Sequence, residues 1–427
     1  MLARPGEGYF DRAQGRLLLV PREGDSIAST EVVVPRLAQV LRLAGRPDDG
    51  RFVERVVLRG LGLAHTEAPC PPLGPPNSDL AGPPQAAVTS PGSVFAEGAR
   101  ECSFEDCELV HLGGYGIELA GGCTGCRIVD CEIHDLAAGA IKLGETGIRK
   151  EAAWRSGDHL VADNHLHDGG LRHHSAVGIW VGQSGGNRIE HNHIHHFFYT
   201  GISLGWTWGY GQSACAGNAI EKNSVHDIGM GLLSDMGGIY TLGVSPGTVI
   251  RGNVFHDVES YSYGGWGIYF DEGTTGVVAE NNIVYRCKSN GFHQHYGKEN
   301  VVRNNVFAAS RDAQIARTRA EPHLSFTFER NLVWWNSGKL LSGDWSGAGF
   351  RRDHNLYFDA RTPTADKQQV LGSAGTAGQD ASSIVADPLF EDPLHGDFRL
   401  RPHSPALGLA FVPIDCSDVG PRPRPRR

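Results

Sequence analysis

A six-residue pattern recurs ten times between residues 104 and 357: apolar, two mostly polar residues, Asn or Cys, any residue, apolar. It reads FEDCEL at 104–109, IVDCEI at 128–133, VADNHL at 161–166, IEHNHI at 189–194, IEKNSV at 220–225 and IRGNVF at 250–255. AENNIV at 279–284, VRNNVF at 302–307, FERNLV at 328–333 and the weakest copy, RDHNLY at 352–357, complete it. The fourth position forms one column of Cys107, Cys131, Asn164, Asn192, Asn223, Asn253, Asn282, Asn305, Asn331 and Asn355, at intervals of 23 to 33 residues. A Gly-apolar-x-apolar run follows in most repeats, as in GIWV at 178, GISL at 201, GIYT at 238 and GIYF at 267. A helical solenoid would need long amphipathic stretches, and none occur. Short β runs in single file with glycine at the bends point to an all-β chain, a parallel β-helix of about ten or more coils. Coils stacked about 4.8 Å apart turn equal residues into ladders, where asparagine amides hydrogen-bond along the axis. Variation in repeat length goes into corner loops, where function concentrates.

The ends lack the repeat. Residues 1–52 read as an N-terminal cap or incomplete first coils, with VERVVLRGLGLAHT at 53–66 an early coil, and 53–358 as the β-helix. Residues 67–92 hold eight prolines and read as an irregular loop or an excursion over one coil face. Residues 359–427 are expected to form a C-terminal cap region, with 386–411 covering the last open sheet edge, and a disordered tail, GPRPRPRR.

Composition narrows the class. The 57 glycines are about twice average usage but follow no three-residue period, which excludes collagen. No apolar run approaches a membrane span, and LARPGEGYF after Met1 is no signal peptide. The net charge of −9 disfavours a nucleic-acid binder. Nine cysteines do not read as a disulfide scaffold. Cys102 and Cys126 each lie five residues before a ladder position, so they stack in equivalent columns. Buried thiols, inter-coil disulfides and a zinc site are the alternatives, the last lacking a second ligand pair.

Twenty histidines include five that lie three residues after the ladder position: His134, His167, His195, His226 and His256. Asp135, Asp168, Asp227 and Asp257 follow four of them. A column that runs over this many coils reads as a solvent-facing preference, each Asp bonding a corner amide, rather than as a metal site. No metal and no cofactor are expected.

The candidate cleft lies in four consecutive repeats. GISLGWTWGYG (201–211) carries Trp206, Trp208 and Tyr210, and GMGLLSDMGGIYTLG (229–243) carries Asp235 and Tyr240. YSYGGWGIYFDEGTTG (261–276) carries Tyr263, Trp266, Tyr269, Asp271 and Glu272, and GFHQHYG (291–297) carries His293, His295 and Tyr296. Aligning Gly267 with Gly291 sets Tyr269 on His293, Asp271 on His295 and Glu272 on Tyr296. Aromatic faces beside polar groups suit a sugar ring, and two carboxylates can supply the acid and the nucleophile or base of glycoside hydrolysis. On a straight strand, Asp235 and Asp271 would stand roughly 20 Å apart. They meet only if the bend at 229–237 folds back over the face.

DMGGIYTLGVSPGT, GGWGIYFDEGTTG, FHQHYGKENVVRNNVF, YTGISLGWTWGY and DPLFEDPLHGDFRLRPHSPA resemble right-handed parallel β-helix proteins related to glycoside hydrolase family 141. The resemblance implies breakdown of plant-type polysaccharides, α-L-fucosides or xylan among them, with Asp235 and Asp271 as the catalytic carboxylates. Glu272, His293, His295, Tyr296, Trp206, Trp208, Tyr240, Tyr263, Trp266 and Tyr269 are expected to support them or bind substrate. It also implies a secreted or periplasmic protein with further coils before GEGYFDR, close to where this chain begins. The expected partner is carbohydrate, with no nucleic acid or membrane, and the chain is expected to be a monomer. A lyase or uronate epimerase, drawing on His293, His295, Arg317 and Arg319, is the nearest alternative. A non-catalytic carbohydrate-binding β-helix is another.

Overall fold

The computed structural model describes residues 4–11, 13–26, 28–68, 84–372 and 378–423. Cys70, residues 69–83 of the proline-rich segment and the tail's final 424–427 lie outside them. Residues up to Arg36 form a unit of their own around the antiparallel hairpin Gly8–Asp11 and Arg16–Leu19. From Leu37 onward the chain is one unit built on three long parallel sheets of 11, 11 and 12 strands. Each coil contributes one strand to each sheet. The coil at Ile202–Leu204, Ala219–Glu221 and Ser224–Ile228 is followed by Gly237–Thr241, Val249–Arg251 and Val254–Val258, every pair in parallel register. The first coil starts at Leu41–Ala44, which pairs with Gly92–Glu97.

The ladder column closes the corner between the second and third sheets. The residue before each ladder position takes the left-handed conformation, as at Asp163, His191, Lys222, Gly252 and Asn281. That turn swings the asparagine inward, and each ladder Asn from Asn164 to Asn355 is buried. Asn223 shows the full set of bonds. Its Nδ2 donates to Asn253 Oδ1 at 2.9 Å and to the Ile189 carbonyl at 2.9 Å, and its Oδ1 accepts from the backbone N and Nδ2 of Asn192. The same bonds repeat up to Asn355, so each of these ladder amides is paired. Cys131 donates its backbone N to Asn164 Oδ1 at 2.9 Å but carries no amide to extend the ladder. The eight described cysteines are free thiols.

Glycine at the start of the first-sheet strands is dictated by space. A Cβ on Gly267 would stand 2.0 Å from Val284 Cγ1 and 2.7 Å from the Gly291 carbonyl.

Two expectations are corrected. The aspartates after the histidine column do not bond corner amides. Asp168, Asp227 and Asp257 accept from the Nδ1 of His167, His226 and His256 at 2.8, 2.7 and 2.6 Å. They sit at left-handed positions within the third-sheet strands, which aspartate tolerates better than most residues. The C-terminal segment, in turn, lies along the side of the stack rather than over its open end. Phe390, Phe398, Ala406 and Phe411 pack along the outward side of the third sheet, on Ile283, Tyr285, Val306, Ala308, Leu332, Trp334, Leu356 and Phe358. The end of the stack is met by the short helix Lys367–Leu371, whose Leu371 joins the interior cluster. An apolar outward column needs cover along its length, and that need decides where the segment lies.

Candidate active site

The outward column of the first sheet runs Trp180, Ser203, Tyr240, Tyr269, His293 in strict register. All five are buried, so the face is covered rather than bare. The described part of the proline-rich segment contributes to this cover. Lys142 Nζ donates to the carbonyls of Val88 and Ser90, and Gln85 Nε2 reaches the Tyr199 hydroxyl at 3.4 Å.

Asp271 follows the strand Trp266–Phe270 and is 6% exposed. Tyr240 donates to its Oδ2 and Tyr269 to its Oδ1, the latter at 2.7 Å. Asp235 arrives from the bend at 229–237, which does fold back over the face. Its N–H donates to the Tyr263 carbonyl at 3.1 Å, and its own carbonyl accepts from the Tyr199 hydroxyl at 2.7 Å. The bend lies backbone to backbone against the loop of the next coil. A Cβ on Gly264 would stand 2.7 Å from Asp235 N, and Gly264 has φ +98°. Only glycine serves there.

The Tyr269 hydroxyl also lies 3.1 Å from Asp235 Oδ1. One phenol therefore reaches both carboxyl groups, which brings those two oxygens within about 6 Å of each other. A phenol has one proton. It can donate to one carboxylate while accepting from the other only if that other carboxyl is protonated. Burial raises the Asp235 pKa and the charge of Asp271 adds to the rise. Burial raises Asp271 too, but the Tyr240 and Tyr269 bonds oppose it, with the charge of His295 acting in the same sense. Two phenol donors favour an ionised Asp271, so Asp235 is the better holder of the proton.

The remaining residues divide into groups. His293 stacks flat on Tyr269, centroids 4.9 Å apart, and bonds Thr318 Oγ1 through Nε2 at 2.9 Å. Burial pushes its pKa down to about 3, so it is neutral. His295 bonds the same Thr318 hydroxyl at 2.9 Å. Trp266 is buried against Tyr269 and His293 and donates Nε1 to Asn290 at 3.1 Å, making it a wall of the site. Tyr263 is exposed at the rim. The Glu272 carboxylate accepts from Tyr296 at 3.0 Å, and its charge adds to the rise of the Asp235 pKa. Trp208 is exposed, but Trp206 packs edge-on to buried Trp180. Trp206 thus stands on the outward face beside Trp180, two coils from Tyr269 in the same column. Tyr210, on the same loop, bonds Glu321 and sets its ring edge against Tyr296 at 5.9 Å.

Three contributors went unnoticed in the sequence: Tyr199, Gln85 and Thr318. Tyr199 stands in the YTGISL motif and carried a usable signal. Gln85 and Thr318 lie in stretches with no repeat to index them.

A family model described as the right handed beta helix region matches residues 90–231 and 207–333, which together take in more than half of the chain. The chain belongs to this family. A solved structure named as a glycoside hydrolase superposes with a TM-score of 0.61 at 21% identity, covering 71% of this chain and 57% of that one. This likeness speaks to the fold, and the chain spans little more than half of that protein's length. The periplasmic alginate epimerase AlgG matches at 13% identity and a TM-score of 0.44, over 73% of this chain and 70% of its own. The PL6 family alginate lyase AlyGC matches at 14% and 0.44, over 86% and 55%. No curated protein matches this chain.

Proposed function

We propose that this β-helix is a glycoside hydrolase acting on a plant-type oligo- or polysaccharide, an α-L-fucoside or xylan-like chain, with Asp271 as nucleophile and Asp235 as acid. The observation that carries this reading is the pair of carboxyl groups joined by one Tyr269 hydroxyl. The two oxygens that meet the phenol lie within about 6 Å of each other, compatible with the ~5–5.5 Å spacing of carboxyl groups in retaining glycosidases. In the retaining course, Asp271 attacks the anomeric carbon as Asp235 protonates the departing oxygen. Asp235 then takes a proton from water, and the water displaces Asp271 from the sugar. The resemblance also supports a secreted or periplasmic protein.

The lyase or epimerase alternative needs cations to neutralise a uronate. Arg317 is buried and donates its Nη1 to the Asp344 and Ser346 carbonyls at 3.0 Å. Arg319 lies over the Tyr296 ring at 4.3 Å. Neither arrangement favours that chemistry. The test is turnover on aryl fucosides, aryl xylosides, xylan and uronate polymers. Release of reducing ends by wild type but not by Asp271→Asn supports the proposal. An unsaturated, absorbing product from a uronate polymer overturns it.

A further inference from the structure

The outward face of the third sheet has a second character before Ile283. Where the later coils present apolar residues to the C-terminal segment, the earlier ones present imidazoles in two columns. His165 and His193 form one. His134, His167, His195, His226 and His256 form the other, each in register with the next. The first column, two residues before the second, is what the sequence reading missed.

Glu132 and His165 pair directly across adjacent coils. Glu132 Oε1 lies 3.6 Å from His165 Nδ1 and 3.5 Å from His167 Nε2. Two ligand atoms on one tetrahedral zinc, each about 2.0–2.1 Å from it, stand roughly 3.3 Å apart. All three donor atoms, His165 Nδ1 and His167 Nε2 included, lie within 4.8 Å of one another. The opposite nitrogens of both rings are already held. His167 Nδ1 bonds Asp168 at 2.8 Å, and His165 Nε2 meets His195 Nε2 at 2.8 Å. Such outer partners orient a ligating imidazole and raise its basicity. His167 Nε2 faces the Glu132 carboxylate. That Nε2 is buried and makes no hydrogen bond.

We propose that Glu132, His165 and His167 form a site for a divalent transition-metal ion, zinc by its donor set, that clamps two adjacent coils. Two imidazoles and one carboxylate leave the fourth position to water. The site stands on the third sheet, apart from Asp235 and Asp271 on the first, and holds whether or not those residues hydrolyse sugars.

The test uses the full chain without a histidine tag, dialysed against zinc and assayed for bound metal and for melting temperature. About one zinc per chain and a raised melting temperature are expected. Glu132→Gln and His167→Gln should each weaken zinc binding at least about tenfold. His256→Gln should bind as wild type does. All three side chains lie on the outward face, and circular dichroism checks that the variants keep their fold. No retained zinc in wild type, unchanged affinity in His167→Gln, or loss only on His193→Gln would each overturn the assignment.

Discussion

Asp235 and Asp271 come from successive coils and from different kinds of backbone, a left-handed bend and a strand end, yet the Tyr269 hydroxyl lies 3.1 Å from one and 2.7 Å from the other. The strand is the rigid partner, stacked between Tyr240 and His293. The bend is held by main-chain bonds to the loop around Tyr263 and by Tyr199. In the proposed mechanism, position and proton inventory give the two carboxyl groups unequal roles.

Replacing Tyr269 with Phe removes the shared proton and keeps the ring that stacks on His293. The expected outcome is a fall in kcat of about 10²-fold, the lower end of what a positioned proton-transfer group contributes. The stability cost should be about 1 kcal/mol, that of a buried hydrogen bond. Steady-state kinetics and chemical denaturation on the same sample read both. A variant with wild-type kcat would remove the phenol from the mechanism.

The unequal roles are separable with leaving groups. Asp235→Ala should retain turnover on an aryl glycoside whose phenolate leaves without protonation and lose it on a natural glycoside. Asp271→Ala should lose both, because no nucleophile remains. The opposite pattern would exchange the two assignments.

The two tryptophans should now behave differently. Trp206→Ala opens space beside buried Trp180 and should cost about 3 kcal/mol. Trp208→Ala, exposed on the same loop, should leave thermal stability within about 0.5 kcal/mol of wild type. Melting curves of the two variants decide whether that loop is anchored as described.

The ladder was legible because stacking in a β-helix makes one residue's environment recur in every coil. Asn192 and Asn331 meet the same constraints and carry the same side chain. The register of Tyr269 on His293 was readable for the same reason, since a shared glycine indexes both strands. What was not readable depends on chain that leaves the repeat. Asp235 returns to the face through contacts of Gly264 and Tyr263 in the next coil, and Gln85 comes from a segment far upstream. The C-terminal segment was misplaced because its hydrophobic residues match the outward apolar column from Ile283 to Phe358, and that column is visible only once the coils are stacked.

Replacing Asn223 with Leu tests the ladder. The backbone N–H and Nδ2 of Asn192 lose their common acceptor, and the Ile189 carbonyl loses a donor. The chain should be destabilised by about 1–3 kcal/mol, the penalty for buried polar groups left unpaired. Asn223→Asp keeps an acceptor for Asn192 and should recover part of the loss at acid pH, where the carboxyl is neutral. Urea midpoints of the three proteins at one pH check the order.

The pH dependence follows from the raised carboxyl pKa values. Burial, reinforced by the charge of Asp271, lifts Asp235 above its unfolded value, and burial lifts Asp271. Between the unfolded pKa of about 3.9 and the raised folded value, the native state binds more protons than the unfolded chain. Stability from these two groups is therefore fully present below the unfolded pKa and is lost as pH rises through the folded one. At neutral pH the buried pair costs stability. Asp235→Asn should accordingly raise the melting temperature at pH 7, and the gain should shrink toward zero as the pH is lowered through the ordinary carboxylate range. Activity should fall on the alkaline side as Asp235 loses the proton it delivers to the leaving group. Thermal melts and kcat/KM profiles of wild type and Asp235→Asn from pH 4 to 8 measure both. A gain in melting temperature that grew as pH fell would show Asp235 to be stabilised as a charge, and would return the role of acid to another group.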